Sequence, residues 1–141
     1  MKRRSVLGLL GLGAAAAPAL GAQKKPAPKH RVILQVSDND PARWTLALNN
    51  AKNVQADLGV EQVQIEIVAY GPGLHMLKAD SAVVAALAGA LDASVGLLAC
   101  ENTMQNMKVS RDEMFGGIAY VQAGVTHIMR RQHEGWAYIR P

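Results

Sequence analysis

The chain has 141 residues and a single cysteine, Cys100. One thiol excludes an internal disulfide, so in an oxidising compartment it is a buried residue, an intermolecular partner or a reactive group. Several catalytic signatures are also missing. No HExxH, Walker or GxSxG pattern occurs, and the glycine-rich stretches are too short to cradle a nucleotide phosphate. No cofactor is therefore expected. Gly11-Leu12-Gly13-Ala14-Ala15-Ala16 spells a dinucleotide fingerprint, but it follows no strand and is discarded. Basic residues are scarce where they would matter. The formal charge of +4 comes from the N-terminal region, whereas residues 32–141 hold 8 Lys/Arg against 11 Asp/Glu, a net of −3. Such a domain is a poor nucleic-acid binder.

The apolar run near the N-terminus is too short, too rich in Gly and Ala, and too clearly broken by Pro18 to predict a retained membrane anchor. Lys2-Arg3-Arg4 followed by the soft apolar stretch Val6–Ala17 and small residues up to Ala22 predicts a signal peptide over residues 1–22. Arg3-Arg4-Ser5-Val6-Leu7 is similar to a twin-arginine export motif, and the Sec route is the alternative. Either route predicts a periplasmic protein with no stable membrane insertion after cleavage. Residues 23–31 are expected to form a flexible basic tail, and 32–141 one domain with a single core.

Within that domain, Val32–Val36 is a compact β-branched strand. Asp40 and Pro41 then start a helix that carries apolar residues at helical spacing and stops at Gly59. Gln62–Ala69 alternates polar and apolar residues, which predicts a strand at a sheet edge. Tyr70-Gly71-Pro72-Gly73 is a turn, and Leu74–Leu77 a helical turn after it. Ser81 or Asp80 is predicted to cap a helix through Leu91 that is apolar almost all round, and hence deeply buried or packed on another subunit. A third strand at 95–99 and a short helix at 101–107 flank Cys100. A strand at 118–121, a helix from Val125 to near Gly135 and a strand at 136–139 complete the chain. Strands and helices in alternation imply right-handed crossovers: a five-stranded parallel sheet in a flavodoxin/Rossmann-like three-layer α/β sandwich.

This order puts Cys100 at a strand-to-helix junction, where helix-start N–H groups favour thiolate and where open α/β sheets bind ligands. Asn102 and Thr103 are candidate hydrogen-bond donors to it, while the Glu101 carboxylate would oppose ionisation if it came near. Gly71, Gly73 and His75 belong to the turn at the end of the second strand and are weaker candidates. If the loops gather, Cys100 with Met104 and Met107 is an alternative soft-metal site, suited to copper, although methionine at helical spacing is more often core filler. His127 and His133 are six apart, off any metal-ligand spacing, and read as surface residues.

Three segments, Gly71-Pro72-Gly73-Leu74, Ala99-Cys100-Glu101-Asn102-Thr103-Met104 and the ending from Glu134 to Pro141, resemble those of the DsrE/DsrF-like (YchN-like) proteins. The resemblance spans residues 32–141. It implies a Rossmann-like domain that assembles into homo-oligomers, commonly trimers or hexamers, and it implies that Cys100 holds sulfur as a persulfide between a donor and an acceptor protein. The sulfur-relay members are cytoplasmic, so an exported chain departs from them. A non-catalytic oligomeric binding module and a structural protein with an inert cysteine are the alternative functions.

Overall fold

The computed structural model describes residues 13–17, 21 and 24–141; most of the expected targeting segment, including Lys2–Arg4, lies outside the described residues. Five strands alternate with four α-helices: β1 (His30–Val36), α1 (Pro41–Leu58), β2 (Val63–Ala69), α2 (Val84–Asp92), β3 (Gly96–Cys100), α3 (Glu101–Met107), β4 (Ala119–Val121), α4 (Gly124–His133) and β5 (Ala137–Ile139). Every strand pair is parallel, in the order β4-β3-β2-β1-β5. The α/β sandwich expected from the sequence is the observed fold.

Strand parity divides the core in two. Val32, Leu34 and Val36 of β1, Ile65 and Ile67 of β2, and Leu97 and Ala99 of β3 face one side. There they pack with Trp44, Leu48, Leu87 and Met104 from α1, α2 and α3. Ile33, Val68 and Leu98 face the other side, against Ile128 of α4 and Trp136. Three helices thus cover one face and α4 the other. Asp40 caps α1 as expected, its carboxylate accepting the Ala42 N–H at 2.9 Å with Pro41 in the first turn.

Two expectations fail for physical reasons. β2 is not at the edge but in the centre of the sheet. Its alternation arises because Gln64 is exposed while Glu66 is buried beneath α4, where Arg131 and His127 take up its carboxylate. The apolar helix α2 begins at Val84, past the predicted caps. Ser81 accepts only the Val83 N–H, at 3.3 Å. Nor is α2 deeply buried, since Leu87 alone is enclosed while Ala85, Ala86, Ala88 and Gly89 are exposed. No helix among the described residues is long and apolar enough to cross a membrane.

Candidate functional site

Cys100 is the last residue of β3 and the N-cap of α3. It pairs in register with Val121 of β4, so the loop after β4 runs beside it. The side chain points toward the α4 layer. The Gly124 N–H, at the start of α4, donates to Sγ at 3.3 Å, and the thiol donates to the Gln122 carbonyl at 3.8 Å. The residue is only 5% exposed, a sulfur at the rim of the core rather than on open surface.

Thr103 approaches from the other side. Its Oγ1 accepts the Gly71 N–H at 2.9 Å, which leaves the hydroxyl proton free to donate to the sulfur. Burial is the largest influence on Cys100 and raises its pKa. The Thr103 hydroxyl, the Gly124 N–H and smaller contributions from the Thr103 and Asn102 N–H groups together outweigh it, and the thiol titrates below its ordinary value. The Asn102 N–H is mainly committed to the Gln122 carbonyl, at 3.0 Å, which explains its minor share. Glu101 does not crowd the sulfur: its carboxylate pairs with Arg111 at 3.6 Å.

The other sequence candidates fall into separate places. Gly71, His75 and Thr103 come together with Pro72, Asn106 and Met107 around an open cleft of about 370 Å³, which meets Cys100 only through Thr103. Gly73 is buried, with its backbone pressed against Val36 of β1. The Asn102 side chain faces away from that cleft, its carbonyl accepting from the Gln122 amide. Met104 is 5% exposed within the larger core, and Met107 packs against it. No group of three or more His, Cys, Asp and Glu residues among the described residues has the arrangement to hold a metal.

Sequence reasoning missed Gln122 and Gly124, because both act on the sulfur through backbone atoms. The signal available was position: they follow the strand that neighbours β3. His127 was expected at the surface, but it is half-buried with Nε2 2.6 Å from Glu66. Of the two, His133 is the exposed one. The sulfur also lies two strands from the topological switch, which falls between β1 and β5.

If Thr103 holds the thiolate, Thr103→Val removes a donor at nearly constant shape. The iodoacetamide alkylation midpoint of Cys100 should then rise by about one pH unit, the scale of one charge-assisted hydrogen bond. Thr103→Ser should restore it. An unmoved midpoint in the valine variant rules Thr103 out as a donor.

No curated protein matches the chain. Among solved structures it is similar to MTH1491 from Methanobacterium thermoautotrophicum, a protein of unknown function, with 39% identity and a TM-score of 0.76 over 79% of this chain and 99% of that one. It shares the fold of BT1422 from Bacteroides thetaiotaomicron, a conserved protein of unknown function, with 14% identity and a TM-score of 0.58 over 79% and 94% of the two chains. The model of the DsrE/DsrF-like family matches residues 30–141, and the chain belongs to that family.

Proposed function

We propose that this is a periplasmic sulfur carrier in which Cys100 accepts a sulfane sulfur atom and passes it on. Family membership supports a sulfur-relay-related role in general terms. The observation that carries the specific reading is the thiol held by Gly124 and Thr103 at the start of α3, with its pKa lowered despite burial. In the transfer, the Cys100 thiolate attacks the outer sulfur of a donor persulfide, R–S–SH. The new S–S bond forms as the donor's S–S bond breaks, and the donor leaves as R–S⁻ with the electron pair. The product is Cys100–S–SH, with no net oxidation and no further reactant.

The experiment is intact-mass analysis of mature protein from a periplasmic extract, before and after polysulfide treatment. The expected mass is that of a chain starting near Ala22 or Gln23, shifted by about 32 Da per sulfur atom added. A thiol that reacts only after unfolding would refute the carrier, and full-length protein in the cytoplasm would refute export.

Assembly into a homo-oligomer is part of the same reading. Exposed apolar side chains on α4 and β5 support it: Val125 is 59% exposed, Met129 49% and Tyr138 40%. Light scattering at micromolar concentration should give a multiple of the monomer mass, and a monomer would end that part of the proposal.

A further inference from the structure

Glu66 sits in the middle of β2, 7% exposed, under α4. Arg131 binds its carboxylate twice, through Nη2 at 2.6 Å and Nε at 3.2 Å, and His127 Nε2 lies 2.6 Å from the same group. His127 and Arg131 are one turn apart on α4, so a single helix face holds both. Arg131 also reaches Glu134 at 2.9 Å and stacks over Trp136, 4.6 Å from the ring centroid.

The start of the same helix rests on the carboxyl end of β2. A Cβ on Gly124 would lie 3.1 Å from both Tyr70 Cβ and Val68 Cγ1, so the approach is close. Between these two anchors α4 has little freedom to slide. Its first residue carries the N–H that meets the Cys100 sulfur at 3.3 Å. A buried ion pair is a poor source of stability, because desolvation offsets most of the attraction. An apolar residue at position 66 would cover α4 as well. What the charged cluster adds is a fixed register of helix on strand.

We propose that Glu66 is a positioning residue for Cys100: by gripping His127 and Arg131 it fixes the placement of α4 that aims the Gly124 N–H at the sulfur. This rests on the reading of Cys100 as a working thiolate. The cluster lies outside the hydrogen-bonding shell of the sulfur and acts through the helix. The charged and titratable groups on the elements around Cys100 are Glu66 on β2, Tyr120 on β4, Glu101 on α3 with its partner Arg111, Lys108 just after α3, His127, Arg130, Arg131 and His133 on α4, and Tyr70 and His75 after β2.

Charge and position predict opposite signs, which makes the test sharp. Glu66→Gln removes a negative charge and frees the Arg131 guanidinium, so electrostatics alone would favour thiolate and lower the alkylation midpoint. Loss of the Gly124 donor raises it. The measurement is the pH dependence of Cys100 alkylation in wild type, Glu66→Gln and the milder His127→Gln, which keeps the Glu66–Arg131 pair. Circular dichroism confirms the fold of each.

The expected result is an upward shift of roughly half to one pH unit in Glu66→Gln and a smaller one in His127→Gln. Should Glu66→Gln fail to fold, Glu66→Asp decides, because it keeps the charge and shortens the reach to α4, so an upward shift there has no lost charge to explain it. A downward or absent shift beside a depressed wild-type midpoint overturns the positioning role and leaves the carrier reading standing. An undepressed wild-type midpoint overturns both.

Discussion

Replacement of Cys100 by serine will remove every sulfane-sulfur adduct from the protein. No second thiol exists to take over, since Cys100 is the only cysteine in the sequence. The loss is expected to be complete at every polysulfide dose, read by intact mass. The fold should survive, because a serine hydroxyl is smaller than a thiol and can use the same partners, accepting from the Gly124 N–H and donating to the Gln122 carbonyl. Residual adduct in the serine variant would place the sulfur on another group and end the carrier reading.

The lowered thiol pKa also gives a stability signature, and its sign is fixed by linkage. The native state favours the thiolate more than the unfolded chain does. The added stability is therefore fully present above the unfolded thiol pKa and is lost as pH falls through the native one. The wild type should gain on Cys100→Ser as pH rises through that window. This is the same donor set read by a second method.

How much of this was legible in the sequence depends on range. The parallel α/β sheet follows from strands and helices in alternation, and each of those is a local signal. Cys100 could be placed at the end of β3 because the apolar run before it and the polar helix after it are adjacent in the chain. The donors that hold its sulfur could not. Gly124 is 24 residues away and contributes a backbone N–H, which any residue but proline has. Glu66 misled the reading of β2 for a related reason. A carboxylate in an alternating strand reads as a solvent face unless its partner is known, and Arg131 lies 65 positions on. Periodicity reports burial only when the buried residue is apolar. A buried ion pair breaks the pattern and shifts a central strand to the edge in the prediction.

The largest effect on stability is expected at Gly73, which the sequence marked as a turn residue and a weak site candidate. The chain leaves β2 at Tyr70, whose N–H donates to the Val36 carbonyl at 3.1 Å, and then doubles over the end of β1. At Gly73 the approach is closer than any side chain permits. A Cβ there would fall 2.2 Å from the Val36 oxygen, 2.6 Å from its carbonyl carbon and 2.9 Å from Ser37 Cα. All three are backbone atoms, so no rotamer change relieves the clash, and either the turn or the end of β1 must move. Overpacking of this kind costs about 3 kcal/mol or more, which for a domain of this size lowers the melting temperature by roughly 10 °C or more. Gly73→Ala is thus expected to melt well below wild type, whereas Gly116→Ala, with nothing within 4 Å of its added Cβ, should melt close to it. The damage should reach the thiol as well. Gly71, two residues earlier in the same turn, donates the N–H that orients Thr103, so a displaced turn also loosens the hydroxyl that faces the sulfur. Any Gly73→Ala protein that remains folded should show a raised alkylation midpoint at Cys100. Equal melting of the two alanine variants would mean that the turn is not packed on β1 as described.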